Sequence, residues 1–284
     1  MKCPVTYFPI DTQRQFQINK RRIAGKPYAK YFNGDLWLHD EVLPALAAPM
    51  DPAQALAPEE INRLLDPGYL PGETGYCVLP DGSAYVASKV PFKGVPIEAF
   101  RWWWWWHSVE SERYTLWYPH NHVSAERADR DKLTAPGLSD EDRYVPSTHK
   151  VVEYIGPRLV EIYIDFVDPS EMGLDMARAR QQGVVHGCAW VRLQKPDLRF
   201  VRMAHLARPT ADGFELRSRY WIARDLRLTT PFGRIPVPAR ALSGLKGSTK
   251  RLMSAAYEQL LHDQIEFTHL STFLAEIHAE FGGA

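Results

Sequence analysis

Residues 149–228 read as a succession of β-strands, and one long helix with an apolar stripe follows them near the C-terminus. Residues 159–167 alternate apolar and polar side chains, which is typical of a half-buried strand. Residues 209–213 join the last two predicted strands as a hairpin, and short links between consecutive strands imply an antiparallel sheet. Residues 250–280 carry apolar side chains at helical spacing. We therefore predict an α+β helix-grip fold, in which a curved antiparallel sheet surrounds one long C-terminal helix and encloses a cavity.

The first 90 residues have a different character, with many Pro and Gly residues and only short mixed segments. A short helix is predicted to start near Pro58, because proline and the two glutamates after it suit a first helical turn. Pro80–Gly82 predicts a hairpin. We therefore divide the chain into a small N-terminal annex, residues 1–90, which caps the main domain or mediates self-association, and a main domain of residues 91–284.

Three segments of different character lie between the N-terminal annex and the predicted sheet. Residues 97–106 end in five consecutive tryptophans and are predicted to form a helix. Residues 113–118 are aromatic and strand-like, so a strand is predicted there. Residues 124–147 are charged and polar and are predicted to form a long loop. Loops of this length in compact domains are often lids over a functional site.

Composition excludes two classes of partner. The 284 residues carry a formal net charge of zero, so no basic surplus exists to neutralise phosphates, and nucleic-acid binding is not expected. No apolar run approaches the roughly 18 residues that a membrane span needs, and the N-terminus lacks the pattern of a signal peptide. Cys3, Cys77 and Cys188 are too widely spaced for a disulfide framework or a cysteine-rich zinc motif. A cytoplasmic protein without a membrane partner is predicted.

His262 and Glu266 are four residues apart in the predicted C-terminal helix, so their side chains lie on one face. Two ligands on one helix, with others from elsewhere, commonly build a metal site that keeps one position open for water and hydrolysis. Spacing alone nevertheless favours two solvated polar residues, because Glu258 and His262 have the same spacing.

His120 and His122 would face the same side of a strand. The letters His-Asn-His also name a nuclease motif, but Pro119 and the neutral charge argue against that interpretation. From local sequence, hydrogen-bonded turn residues are the alternative. Glu153 lies in an apolar strand, where it faces either solvent or a buried partner. Periodicity alone favours solvent.

The block from Trp102 to His122, with the sequence WWWWWHSVESERYTLWYPHNH, resembles the signature of the 2,4-diacetylphloroglucinol hydrolase family, which includes phloretin hydrolase-like enzymes. The strand of Glu153 and the helix of His262 and Glu266 follow in the matching order and at near-matching separations. The resemblance covers residues 90–280, and the N-terminal part matches only loosely.

This resemblance implies a zinc-dependent carbon–carbon bond hydrolase on a Bet v 1-like helix-grip fold, which forms a homodimer through its N-terminal part. It assigns no role to His120. The residues that it implies are the zinc ligands His122, Glu153, His262 and Glu266, the phenol-contacting tyrosines Tyr114 and Tyr220, and the cavity histidine His205.

The implied substrate is a small acylated phenol or β-diketone, which loses its acyl group as a carboxylic acid. The aromatic share of 12%, with nine tryptophans, suits a cavity with ring-stacking walls. His205 is the candidate proton shuttle, on the premise that its pKa lies near working pH. Two histidines and two carboxylates also tolerate Mn, Fe or Co, so zinc follows from the resemblance and not from ligand type.

Two other functions stay open from the sequence. One is a non-catalytic helix-grip carrier of flat apolar ligands, and the other is a metal-dependent hydrolase of an ester or lactone. The sequence has no Gly-x-Ser-x-Gly elbow and no glycine-rich phosphate loop. Serine hydrolase and nucleotide chemistry therefore have little support.

Overall fold

The computed structural model describes residues 2–239 and 248–283. The α-helices are α1 (Ile10–Ile23), α2 (Leu43–Ala47), α3 (Ile97–Trp106), α4 (Ser111–Trp117), α5 (Arg130–Thr134), α6 (Asp140–Tyr144), α7 (Met176–Gln181), α8 (Ser248–Ser271) and α9 (Leu274–Phe281). Short 3-10 helices span Ala29–Tyr31, Asp40–Val42, Pro52–Gln54, Pro58–Leu65 and Pro169–Met172. The predicted helix near Pro58 therefore exists as a 3-10 helix.

The strands are β1 (Lys2–Pro4), β2 (Trp37–His39), β3 (Gly75–Val78), β4 (Ala84–Lys93), β5 (His122–Arg127), β6 (Ser147–Ile155), β7 (Arg158–Phe166), β8 (Val185–His186), β9 (Ala189–Gln194), β10 (Asp197–Thr210), β11 (Gly213–Thr230) and β12 (Gly233–Pro236). β1 pairs with β2. The large sheet has the order β3-β4-β11-β10-β9-β7-β6-β5, with β8 beside β10 and β12 beside β11. Each of its pairings is antiparallel, as the short links predict.

The sheet curls around α8. Near one end of the strand order, Gln264 on α8 donates to the carbonyl of Lys89 on β4, the second strand, over 3.3 Å. At the other end, His122 of β5 lies 3.3 Å from Glu266 of the same helix. Because one helix contacts strands near both ends of this order, the sheet must wrap around it. This confirms the predicted α+β helix-grip fold, with a large antiparallel sheet around the C-terminal helix.

The hairpin between β10 and β11 depends on one glycine. Gly213 has φ +138°, and a Cβ at this position would lie 2.1 Å from the carbonyl oxygen of Phe92 on the adjacent strand. No other residue type fits this close approach without a shift of the backbone. The turn therefore holds β4 and β11 in register beside the C-terminal helix.

The tryptophan run forms helix α3, as predicted. Trp102, Trp103, Trp104 and Trp106 are buried, so this helix is apolar on most of its circumference and lies inside the molecule. Trp105 is only half-buried, and its indole N–H donates to Asp140 over 2.7 Å. The bond ties α3 to α6, in the segment that follows β5.

Two secondary-structure predictions were wrong. Residues 113–118 lie mostly in helix α4, because packing of this segment's aromatic side chains overrides their strand propensity. Residues 124–147 are not one long loop, since they contain the end of β5, the start of β6 and the short helices α5 and α6. The capping box of Ser139 and Asp142 starts α6.

The predicted boundary at residue 90 falls inside β4, which pairs with β11 from Ala84 to Lys93. Residues 75–90 therefore belong to the same sheet as the main domain. The role of the N-terminal residues in self-association stays a prediction. Across residues 2–239 and 248–283, no helix is both long and apolar enough to cross a membrane.

Candidate metal centre and cavity

A cavity of about 480 Å³ lies between α8 and the concave face of the sheet. Its walls are mainly apolar, and polar side chains gather at particular places along it. Apolar residues of the walls include Trp104, Trp117, Val151, Ile155, Val160, Ile162, Ile164, Phe166, Val191, Leu193, Val201, Met203, Ile222 and Leu252. A cavity of this size and lining suits a small, flat, largely apolar ligand.

His122, His262 and Glu266 form a buried cluster that borders this cavity. Their ligand atoms all lie within 4.8 Å of one another. The Oε2 atom of Glu266 is 3.3 Å from Nε2 of His122 and 3.6 Å from Nε2 of His262. The prediction that His262 and Glu266 share one helix face is thus confirmed, and the solvated alternative is wrong because both side chains are buried.

Glu153 joins this cluster from β6. Its Oε2 atom lies 3.6 Å from Nε2 of His122 and 3.8 Å from Nε2 of His262. The hydroxyl of Tyr114 donates to the same oxygen over 2.5 Å. Glu153 is only 7% exposed, so the solvent orientation that periodicity favours is wrong. Side chains of β6 do alternate between the two faces of the sheet, and the face that borders the cavity carries Val151, Glu153 and Ile155.

The four separations of His122 and His262 from Glu153 and Glu266 suit a tetrahedral metal ion. Ligands at about 2.0–2.2 Å from zinc are about 3.3–3.6 Å apart in a tetrahedron, close to the separations between the histidine nitrogens and the glutamate oxygens. Nδ1 of His122 donates to the carbonyl of Tyr114 over 3.0 Å, which leaves the lone pair on Nε2 for the cluster. That Nε2 atom is buried and has no hydrogen-bond partner among the described residues.

Burial dominates the electrostatics of the cluster. It lowers the pKa of His122 well below its ordinary value and raises the pKa of Glu266 well above its own. Burial also raises the pKa of Glu153. Neutral imidazoles and two desolvated carboxylates are a set that a divalent cation would stabilise, because the cation supplies the missing positive charge.

A second cluster of polar side chains includes Tyr220 and His205. The hydroxyl of Tyr220 donates to Oδ2 of Asp263 over 2.6 Å and lies 3.4 Å from Nε2 of His205. Ser88 also donates to Asp263, and Ser218 lies 2.8 Å from Nδ1 of His205. Tyr220 and His205 both border the cavity, as do Tyr114, Glu153, His262 and Glu266.

The premise for His205 as a proton shuttle is wrong for this environment. Burial lowers the pKa of His205 to about 3, so its imidazole is neutral at working pH. A neutral imidazole can still accept or donate a hydrogen bond. The case for a role of His205 in the site therefore rests on its position beside Tyr220 and not on its pKa.

The structure also brings residues to the site that the sequence did not single out. Asp263 receives the Tyr220 hydroxyl, and its only signal in the sequence is its position next to His262. His107 and His149 border the cavity as well. His120 lies outside it, stacked between Phe8 and Phe16 with ring centroids 3.8 and 4.5 Å away. Asp263, His107 and His149 lie in different elements, so no spacing rule could bring them together at this site.

Fold and site together define a class of protein. It is a helix-grip protein with a largely apolar cavity of small-molecule size and a buried group of two histidines and two carboxylates beside that cavity. Comparison with known proteins narrows this class to one family.

The model of the DAPG hydrolase PhiG domain family matches residues 56–279. The chain is 38% identical over 288 residues to the 2,4-diacetylphloroglucinol hydrolase of Pseudomonas protegens, covering 98% of this chain and 92% of the relative. It is 37% identical to a protein of the same name from a Pseudomonas species, covering 98% of this chain and 96% of the relative. The chain belongs to the DAPG hydrolase family, which confirms the predicted family and the predicted enzyme class, a hydrolase of carbon–carbon bonds.

Solved structures give a weaker comparison. The crystal structure of Ara h 8.0201 aligns with a TM-score of 0.30 and 12% identity, covering 64% of this chain and 99% of that chain. A point mutant of norcoclaurine synthase from Thalictrum flavum aligns with a TM-score of 0.32 and 9% identity, covering 64% of this chain and 95% of that chain. Scores this low do not bear on function.

Proposed function

We propose that this enzyme is a zinc-dependent hydrolase that cleaves the carbon–carbon bond between an acyl group and a phloroglucinol-like ring. The observation that carries the proposal is the convergence of His122, Glu153, His262 and Glu266 beside an apolar cavity. Relatives named 2,4-diacetylphloroglucinol hydrolase, which match nearly the whole chain, support the choice of substrate class.

The reaction consumes one water molecule. Its oxygen forms a bond to the acyl carbonyl carbon, and the bond from that carbon to the ring breaks. Before the bond breaks, a phenolic proton moves to the ring carbon that carries the acyl group, which gives the β-diketone tautomer of the ring. The electron pair of the broken bond then passes to the neighbouring ring carbonyl as an enolate, so the ring becomes aromatic again as a phenolate. The phenolate takes the remaining proton of the water, and the products are a carboxylic acid and the deacylated phenol.

The four ligands and Tyr114 would prepare the acyl end of this reaction. Zinc bound by the two histidines and two glutamates would supply positive charge that polarises the acyl carbonyl and acidifies water. The hydroxyl of Tyr114 fixes the Glu153 carboxylate, and the ring of Tyr114 stacks on His122 with centroids 3.8 Å apart. Both contacts hold ligands in place before any substrate enters, which is the role of partners around a metal site.

Tyr220 and His205 would orient the phenol. The single proton of the Tyr220 hydroxyl is used by Asp263, so its oxygen can accept a hydrogen bond from a phenolic hydroxyl. Neutral His205, next to Tyr220, offers one nitrogen for the same purpose. The apolar walls of the cavity would pack on the faces of the ring. Homodimer formation and a cytoplasmic location remain expectations from the sequence.

The test measures metal content and the release of acetic acid from diacetylphloroglucinol, before and after chelation. About one zinc per chain and turnover that stops on chelation and returns with zinc would support the proposal. Turnover that ignores chelation would refute the role of the metal. Ligand binding without metal or turnover would favour the non-catalytic carrier.

A matched pair of variants tests the ligand assignment on one helix. Glu266→Gln removes a charged oxygen from the cluster, whereas Glu258→Gln makes the same change two turns earlier, where Glu258 pairs with Arg158. We expect Glu266→Gln to lose most bound zinc and at least about 100-fold in turnover, and Glu258→Gln to keep both. Equal effects of the two variants would contradict the assignment.

A further inference from the structure

Two buried histidines line the cavity without belonging to the candidate metal centre. His107 follows the C-terminus of α3, and His149 lies in β6. They are 3% and 1% exposed, and their ring centroids are 6.2 Å apart. Buried polar groups need hydrogen-bond partners, so each ring nitrogen has to be accounted for.

The tautomer of His107 follows from one contact. Its Nδ1 atom lies 2.6 Å from the carbonyl oxygen of Trp103. A carbonyl oxygen can only accept, so Nδ1 carries the proton and donates it. In the neutral ring, Nε2 then has a lone pair and is an acceptor.

The tautomer of His149 follows from a chain of two contacts. The hydroxyl of Ser147 donates its only proton to the carbonyl of Tyr144 over 2.5 Å. The Ser147 oxygen, 3.1 Å from Nε2 of His149, can therefore only accept from that ring. Nε2 of His149 carries the proton, and Nδ1 is left as an acceptor.

Both rings are neutral at working pH. Burial lowers the pKa of His107 to about 4 and lowers the pKa of His149 well below its ordinary value. The positive charge of Arg127 lowers both further. Three N–H groups of that guanidinium donate to Asp129 and to the carbonyl of Arg143, which hold it in place.

We infer that His107 and His149 form a hydroxyl-binding subsite, in which Nε2 of His107 and Nδ1 of His149 each accept a hydrogen bond from a hydroxyl group of the ligand. The ligand class is a polyphenol, because one ring then carries several hydroxyl donors on an otherwise apolar body. This choice of ligand rests on the proposed function. An aryl ether of the same shape has no proton to donate, and it would leave both nitrogens without a partner in a buried site.

The hydroxyl-binding subsite lies one aromatic ring away from the candidate metal centre. The ring of Tyr114 stacks on His122 at 3.8 Å and lies 5.8 Å from the ring of His107. A ligand whose acyl group reaches His122 can therefore place other ring substituents near His107 and His149. The subsite would select the hydroxylation pattern of the ring, a role distinct from that of the residues at the acyl group.

The test compares binding of phloroglucinol and of its trimethyl ether, followed by quenching of the tryptophan fluorescence. Neither probe carries an acyl group, so neither is hydrolysed. The measured quantity is the ratio of the two Kd values, ether over phenol, in the wild type and in His107→Phe and His149→Phe. We expect each substitution to lower this ratio about tenfold, because a phenylalanine ring cannot accept the hydroxyl proton.

Phe166→Leu is the matched control, since Phe166 lines the cavity and its ring centroid lies 4.8 Å from that of His149. It changes the shape of the same region without removing an acceptor, so both Kd values should change together and their ratio should stay constant. A ratio that is equal in the wild type and both histidine variants would overturn the inference.

The wild-type protein gives an independent measurement if a variant fails to fold. Nitrogen NMR of the imidazoles should find the proton on Nδ1 of His107 and on Nε2 of His149, and opposite tautomers would overturn the inference. Failure of the proposed function looks different. A strong preference for the phenol without acid release from any acyl phenol would refute the hydrolase and leave the subsite standing. Acid release with an unchanged ratio would refute the subsite alone.

Discussion

Replacement of Tyr114 by phenylalanine removes one hydroxyl group and nothing else from the candidate metal centre. The ring would still stack on His122, where the centroids are 3.8 Å apart and the planes differ by 4°. The lost contact is the 2.5 Å hydrogen bond to Oε2 of Glu153. This variant therefore separates the effect on a carboxylate ligand from the effect on ring packing.

The size of the effect follows from the character of this bond. Hydrogen bonds to a charged group contribute about 1.5–3 kcal/mol, and partners of metal ligands typically change metal affinity by about 10- to 100-fold. We expect the zinc Kd of Tyr114→Phe to rise by about 10- to 100-fold, because the Glu153 carboxylate loses the bond that orients it. Competition with a chromophoric zinc chelator at fixed pH measures this Kd.

Tyr118→Phe is the matched control. The ring of Tyr118 packs against His262 with centroids 4.9 Å apart, but among the described residues its hydroxyl makes no hydrogen bond to the four ligands. Its zinc Kd should stay within about twofold of the wild type. The reasoning is refuted if Tyr114→Phe also keeps its zinc affinity while KM for the acyl phenol rises, because Tyr114 would then serve the substrate and not Glu153.

Three further perturbations test the fold around the site. Gly187→Ala would place a Cβ 2.4 Å from the ring of Trp104. We therefore expect the free energy of unfolding to fall by about 1–3 kcal/mol and KM to rise. An unchanged free energy of unfolding together with an unchanged KM would contradict this packing. Burial alone raises the pKa of Glu73, but hydrogen bonding and charge from Arg217 and Arg219 lower it to about 2. Because the folded-state pKa of Glu73 lies below its unfolded-state pKa, the ion pairs of Glu73 stabilise the folded protein by about 3 kcal/mol at most. This stabilisation is present above pH 4.5 and is lost as the pH falls towards 2. Urea unfolding across this range should show a weaker pH dependence for Glu73→Gln, and an equal slope in both proteins would argue against the ion pairs. Removal of zinc by a chelator should lower Tm, since a metal that binds only the folded chain stabilises it, and an unchanged Tm in a protein shown to contain zinc would contradict that linkage.

The fold was predictable because its main signals are local and periodic. The alternation in residues 159–167 and the apolar stripe of residues 250–280 each belong to one element, and the helix-grip arrangement follows from their order. Residues 113–118 have strand propensity because aromatic residues favour strands in isolation. Packing of Tyr114 and Trp117 against the cavity, three residues apart, favours the helix instead.

The side-chain environment was less predictable, because it depends on contacts between distant segments. In β6, apolar residues occupy both faces of the strand, so the pattern could not identify the face that Glu153 shares with the cavity. A histidine in isolation titrates near neutrality, but burial beside Trp104 and Phe267, with ring centroids 5.6 and 5.1 Å away, lowers the pKa of His205. The tautomers of His107 and His149 depend on hydrogen bonds to the carbonyl of Trp103 and the hydroxyl of Ser147, which are near in sequence but become visible only when the side-chain positions are known.

The most direct test of the candidate metal centre is a crystal structure of the zinc-loaded enzyme, with anomalous diffraction at the zinc edge. The account predicts one zinc peak per chain, within about 2.0–2.2 Å of Nε2 of His122 and His262 and of one oxygen each of Glu153 and Glu266. A zinc peak held by other residues, or a fully active enzyme without an anomalous peak at these four side chains, would contradict it.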